Sequence, residues 1–250
     1  MTRLPTIEVC VDTIDGAFAA LQNGADRIEL CTALEAGGLT PTPGAMEMCR
    51  GLKGKVYTMI RPRGGDFIYT PAELDQMKRD IEATRNAGLH GVVFGVTTAT
   101  GAPDVKAMES LIAECEGLGV TLHRAFDVMP DPMEALETAI GLGFERILTS
   151  GGAFTALEGI ERLTAVAAAA EGRIAIMPGA GVTAANVAAF ASIPGVTDIH
   201  ASCKVVQASA YGSDVPLMAK DAGYARNITD PATVRAFRAA VEAAWGQAKA

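Results

Sequence analysis

One short pattern recurs along this chain and limits the folds that it can adopt. A glycine, a brief turn and an apolar strand follow one another at 24–31 (GADRIELC), 88–94 (GLHGVVF), 143–149 (GFERILT) and 195–201 (GVTDIHA). The copies start 64, 55 and 52 residues apart, and each interval has the length of about two strand–helix units. Such a repeat is typical of a parallel β/α architecture in which every unit packs against its neighbours.

The alternation of eight apolar strands with helices predicts an α/β fold, a single (β/α)8 TIM barrel over residues 1–250. An open doubly wound sheet is the structural alternative, but the first strand–helix turn lacks the G-x-G-x-x-G fingerprint. The four-fold repeat of strand pairs favours closure. Strands are expected at 7–11, 27–31, 56–60, 91–96, 120–125, 146–149, 173–177 and 198–202. Helices are expected at 15–23, 42–52, 104–117, 155–170 and 183–191, with three more opening at Thr70, Asp131 and Asp230.

The segment 203–230 is the one connection that is much longer than usual for a barrel loop. It lies between strand eight and the last helix. A lid or an oligomer contact is one interpretation, and a tolerated surface insertion is the other.

Composition narrows the class of partner. The net charge is −8 and no basic run is present, so a nucleic-acid partner is not expected. No apolar run reaches the roughly eighteen residues that a membrane span needs, and the start lacks the apolar core of a signal peptide. Five cysteines without a dense framework fit a reducing compartment. We therefore expect a cytoplasmic protein.

Strand alternation indicates which side chains face the interior of the barrel. Active sites of such barrels lie at the C-terminal ends of the strands. The inward positions hold polar, ionisable or sulfur-bearing groups where Val, Ile and Leu normally dominate, and burying them is costly unless they are used or paired. These positions are Glu8, Cys10, Asp12, Arg27, Glu29, Cys31, Met59, Arg61, His123, His200 and Ser202.

A soft-metal site is the first interpretation of this mouth. Cys10 and Cys31 end adjacent parallel strands, whose backbones are spaced about 4.8 Å apart. Two thiolates at that range, with Met59 or a histidine nearby, suit Cu(I). Two ordinary buried thiols are the alternative.

An enzyme acting on a small anionic molecule is the second interpretation. Arg61, Arg63 and Arg124 follow strands three and five and could bind carboxylate or phosphate. The loops after strands six and seven could bind an anion through Ser150, Gly151, Gly152, Gly179 and Gly181, unless these glycines serve only turn geometry. Candidates for acid and base are Glu8, Glu29, Asp127, His123 and His200. A non-catalytic interaction protein is a third possibility.

Nine segments, in order from strand one to strand eight, resemble the CutC family of copper homeostasis proteins. They are 8–12, 24–31, 37–41, 59–67 (MIRPRGGDF), 92–96, 123–127 (HRAFD), 147–151, 177–181 and 199–202. The resemblance implies a (β/α)8 barrel, a cytoplasmic homo-oligomer and a role in copper tolerance, with Cys10 and Cys31 as Cu(I) ligands. Ala180 stands where family members often have glycine, and the 203–230 loop looks particular to this chain.

The primary prediction is therefore a Cu(I)-binding copper homeostasis protein with its site at the barrel mouth. The alternative is a lyase, isomerase or hydrolase for a small phosphorylated or carboxylated molecule. In that case Arg61 and Arg124 bind the anion, and His123 and Glu29 act as acid and base.

Overall fold

The computed structural model describes residues 4–210 and 224–247, and its centre is a near-closed barrel of eight parallel strands. The strands are β1 Thr6–Val11, β2 Arg27–Leu30, β3 Lys55–Met59, β4 Gly91–Phe94, β5 Gly119–Leu122, β6 Arg146–Thr149, β7 Ala175–Pro178 and β8 Asp198–Ala201. Neighbours in sequence pair from β1 to β7, and β8 pairs with β1. A parallel bridge between Ile176 and Val196 joins the remaining edges. The predicted TIM barrel is confirmed.

Helices surround this sheet at α1 Ile14–Gln22, α2 Pro43–Met48, α3 Pro71–Asn86, α4 Val105–Ile112, α5 Pro132–Leu142, α6 Ile160–Ala170 and α7 Pro231–Gln247. The start of α3 follows its sequence signal. Thr70 accepts a hydrogen bond from the backbone of Glu73, whose carboxylate accepts one from the backbone of Thr70. None of the helices in the described ranges is long and apolar enough to cross a membrane.

The helix predicted at 183–191 is wrong in type, because only the 3-10 turn Val187–Phe190 forms there. The side chain of Asn186 accepts a hydrogen bond from the Thr183 backbone and donates one to the carbonyl of Gly181. These local bonds compete with a regular helix. The 3-10 geometry aligns residues three apart, so Val187 and Phe190 are both fully buried.

Three further predicted helices are shorter than expected. The segments 42–52 and 104–117 end early, at Met48 and Ile112. The helix predicted at 155–170 starts only at Ile160. Thr155 and Glu158 exchange side-chain-to-backbone hydrogen bonds in a separate turn before it.

The long segment after β8 begins and ends as a small antiparallel ribbon. Its strands are β9 Lys204–Gln207 and β10 Arg226–Thr229, paired in register from Lys204 opposite Thr229. The part of the predicted loop at 211–223 lies outside the described residues. The ribbon places Lys204 directly beside the end of β8.

The register of β1 with its two neighbours positions the site. Glu8 lies opposite Arg27 of β2 and His200 of β8, and Cys10 lies opposite Glu29. The intervening Ile7, Val9 and Val11 are fully buried in the apolar layer under the helices. The alternation inferred from the sequence therefore delivers the polar side chains of β1, β2 and β8 to one interior.

Candidate functional site

A cavity of about 370 Å³ opens at the C-terminal mouth of the barrel. It contains side chains from the ends of several strands, as the position of active sites in this fold leads one to expect. Six of the predicted site residues line it: Cys10, Glu29, Arg61, His123, Arg124 and His200.

Three of these side chains form a compact donor group. One potential ligand atom from each of Cys10, Glu29 and His200 lies within 4.8 Å of those of the other two. Glu29 and His200 are 3% and 8% exposed, and Cys10 is partly buried. Sulfur, nitrogen and oxygen donors therefore meet at one point of the cavity wall.

A series of buried, charged side chains lies beneath His200. Its Nδ1 atom lies 2.8 Å from Oε1 of Glu8, and Arg27 donates from Nε to the other oxygen of that carboxylate. Arg27 also donates to Asp198 at 2.6 Å. The predicted acid/base candidate Glu8 thus lies beneath the cavity, between an arginine and a histidine.

These contacts set the ionisation of Glu8 and His200. Burial opposes ionisation of Glu8, but Arg27 and His200 outweigh it and hold the pKa of Glu8 well below its usual range. Burial would lower the pKa of His200, but Cys10 and Glu8 together hold it well above the ordinary value. These contacts therefore favour the carboxylate form of Glu8, which in turn favours a cationic or metal-bound His200.

Glu29 has a different environment. Burial raises the pKa of Glu29 to about 7, with a further contribution from the charge of Glu8. Its Oε1 atom is buried and has no hydrogen-bond partner among the described residues. A carboxyl group with such a pKa can give or take a proton near neutral pH, or bind a cation.

Cys31, the second predicted copper ligand, lies next to Glu29. Its Sγ atom donates to Oε2 of Glu29 at 3.6 Å, and the residue packs in an interior cluster with Tyr57, Met59 and Val93. Burial, and then the Glu29 carboxylate, raise the pKa of the Cys31 thiol well above its ordinary value. The two predicted cysteines therefore both approach the same carboxyl group.

His123 lies in surroundings that favour its neutral form. Burial, and then the charge of Arg61, lower the pKa of His123 to about 3. Its Nδ1 atom accepts a hydrogen bond from the Ala125 backbone, its ring packs on Phe67, and its Nε2 atom has no partner within the described chain. It presents an uncharged ring nitrogen rather than a cation.

The three arginines that were predicted to bind an anion already have hydrogen-bond or ion-pair partners within the chain. Arg61 donates to the backbone carbonyls of Ala36, Gly38 and Gly65, so its guanidinium fixes two loops at the cavity edge. Arg63 pairs with Glu73 and is not among the described residues that line the cavity. Arg124 lines it and is held by Asp127.

The loop after β6 surrounds the side-chain carboxylate of Asp127. Asp127 accepts hydrogen bonds from the backbone N–H groups of Ser150 and Gly152 and from the hydroxyl of Thr149. Gly151 donates to the Thr149 hydroxyl. The N–H groups predicted to bind a substrate anion are thus engaged within the chain, and Asp127 is a loop-organising residue at this site.

The loop after β7 has a strained residue at its centre. Gly179 donates from its backbone to the Thr149 carbonyl, and Gly181 adopts a φ of +70°. Ala180 between them has a φ of +76° and lines the cavity. This left-handed conformation favours glycine, so a glycine is the residue expected here and the Cβ atom of Ala180 is strained.

Lys204 is a charged residue of the cavity that sequence reasoning missed. It lines the mouth from the first position of β9. The parity of His200 and Ser202 continues to Lys204, and that signal was available in the sequence. The sequence prediction ends strand eight at Ser202 and places Lys204 in the long loop 203–230.

Comparison with known proteins agrees with this arrangement. Residues 5–205 match the CutC family. The chain belongs to the CutC family. A CutC family protein of Rhizobium meliloti is 48% identical over 246 residues, 97% of this chain and 98% of that protein. The human copper homeostasis protein cutC homolog is 42% identical over 239 residues, 93% of this chain and 88% of that protein.

A solved CutC structure from Streptococcus agalactiae has 32% sequence identity and a TM-score of 0.76, covering 79% of this chain and 98% of that one. The part of the chain that matches the CutC family contains all eight barrel strands, the donor group and Lys204. The strand β10 and helix α7 follow it. The described residues that line the 370 Å³ cavity therefore all lie within the CutC region.

Proposed function

We propose that this CutC family protein binds Cu(I) at the mouth of its barrel and serves copper homeostasis, with Cys10 and Cys31 as the thiolate ligands. The observation that carries the proposal is that both thiols approach Glu29 from neighbouring strands inside the barrel. Cys31 packs in the same interior cluster as Met59, so a thioether side chain lies beside this thiol. Soft sulfur ligands are those that Cu(I) prefers.

An anaerobic Cu(I) titration against a competing chelator tests the proposal. The double variant Cys10→Ala, Cys31→Ala is expected to lose at least roughly 100-fold in affinity, since a two-coordinate ion loses both sulfurs. The matched control is Cys49→Ala, Cys115→Ala, which removes two buried thiols of the outer apolar layer. Unchanged affinity in the first double variant would reject these ligands.

A second candidate function is catalysis on a small phosphorylated or carboxylated molecule. It is supported by His123, whose pKa is lowered to about 3, by Glu29 with a pKa of about 7, and by Arg124 and Lys204, which both line the cavity. A panel of small phosphates and carboxylates should contain compounds that raise the Tm of the wild type but not of Arg124→Gln. If no compound of either class stabilises the protein at millimolar concentration, this candidate fails.

A further inference from the structure

We infer that Cys10, His200 and Glu29 form a three-donor site for a divalent cation of the zinc type, with one coordination position left open to the cavity. The site shares Cys10 with the Cu(I) site proposed above but does not depend on that proposal. Its donor atoms lie within 4.8 Å of one another. Tetrahedral Zn²⁺ with bonds of about 2.0–2.3 Å holds its ligand atoms roughly 3.3–3.8 Å apart. Side-chain movements of about 1 Å would therefore bring the three donor atoms to the spacing that the ion requires.

The orientation of His200 is fixed in the manner of a metal ligand. Its Nδ1 atom faces Glu8 at 2.8 Å, so Nε2 is the nitrogen left for a cation. Glu8 is in turn held by Arg27, and Arg27 by Asp198. Metal-binding histidines commonly give their second ring nitrogen to a carboxylate, which fixes the tautomer and the ring plane. Glu8 is a positioning residue in this scheme.

Glu29 supplies the second, independent observation. Its Oε1 atom is buried without a hydrogen-bond partner among the described residues, and the side chain lines the cavity. A buried polar atom in that state costs free energy unless a ligand satisfies it. The other oxygen, Oε2, accepts a hydrogen bond from the Cys31 thiol. The Cys31 contact with this carboxylate therefore involves only Oε2 and leaves Oε1 for the ion.

The mixture of donors selects the class of metal. One thiolate, one imidazole and one carboxylate form a borderline set that suits Zn²⁺ or Co²⁺, whereas Cu(I) favours sulfur alone. Loss of the Cys10 proton on binding gives two negative ligands for a dication. Three protein ligands with an open fourth position are typical of zinc sites that bind a water or a substrate.

Titration of the metal-free protein with Co²⁺ tests the inference directly. We expect visible bands of tetrahedral Co²⁺ and a thiolate charge-transfer band in the near ultraviolet, both displaced by Zn²⁺. Cys10→Ala should abolish the charge-transfer band, and His200→Ala and Glu29→Gln should each weaken binding by at least roughly 10-fold. Cys31→Ala should keep the band. Absence of the band in the wild type would overturn the site.

Two further measurements make the outcome decisive. X-ray absorption of the Zn²⁺-loaded wild type should give one sulfur and two or more nitrogen or oxygen ligands, and two sulfurs would overturn this donor set even if a variant failed to fold. Cys31→Ala separates the two proposals. Loss of Cu(I) affinity with retained Co²⁺ affinity supports both, whereas loss of Co²⁺ affinity in this variant overturns the three-donor site alone.

Discussion

The Nδ1 atom of His200 lies 2.8 Å from Oε1 of Glu8, although 192 residues separate the two in the chain. The contact joins the first and last strands of the barrel through one carboxylate, which Arg27 holds from its other side. The position of His200 in the cavity thus depends on a group that the cavity does not expose.

Glu8→Gln should be strongly destabilising. Glu8 is fully buried, and removing its charge leaves Arg27 and His200 without their shared partner. We expect a loss on the order of 3 kcal/mol in the free energy of unfolding, measured by chemical denaturation. Glu137→Gln, which breaks an exposed pair with Arg173, is the control and should change the free energy of unfolding far less, because water screens an exposed ion pair. Equal losses would contradict this role of Glu8.

Ala180→Gly should stabilise the protein. Ala180 adopts a φ of +76°, a conformation in which a Cβ atom is strained and glycine is not. We expect a gain of up to about 1 kcal/mol in thermal or chemical unfolding. Ala239→Gly, in an exposed part of α7, should lose about 1 kcal/mol. A loss of that size in both variants would show that the strain at Ala180 is not relieved.

Glu29→Gln should change the pH dependence of stability. The pKa of Glu29 is raised from 4.5 to about 7 in the folded state, so the native protein binds this proton more tightly than the unfolded chain. The associated stability is fully present below pH 4.5 and is lost as the pH rises to 7. The difference is on the order of 3 kcal/mol. In metal-free protein, stability should fall less over this window in Glu29→Gln, and parallel curves for the two proteins would contradict the prediction.

Asp127→Asn should loosen the loop after β6. The carboxylate accepts hydrogen bonds from the backbone N–H groups of Ser150 and Gly152 at Oδ1 and from Nε of Arg124 at Oδ2, and an amide cannot accept at both of its terminal atoms. We expect hydrogen exchange at these two amides to accelerate by roughly 10-fold or more. Asp66→Asn, which changes an exposed carboxylate paired with Arg63, is the control and should leave the loop unaffected. Unchanged exchange in Asp127→Asn would show that Asp127 does not organise the loop.

Local sequence signals account for much of the barrel. The repeat indicated parallel β/α units, and Thr70 with Pro71 and Glu73 marked the start of α3. The helix prediction for 183–191 is wrong because the composition of this segment does not indicate the hydrogen bonds that Asn186 makes with Thr183 and Gly181. These hydrogen-bond partners depend on how the loop after β7 packs, and helix propensity contains no information about that packing.

The sequence by itself determined the alternation that turns Glu8, Cys10, Glu29 and His200 away from the helices, because side chains of a strand point to opposite faces with a period of two residues. Only the tertiary structure decided their partners. Closure of the barrel sets β8 against β1 and so pairs Glu8 with His200. Strand register brings Cys10 opposite Glu29. These contacts join distant parts of the chain, and their geometry depends on the whole ring of strands rather than on any local pattern.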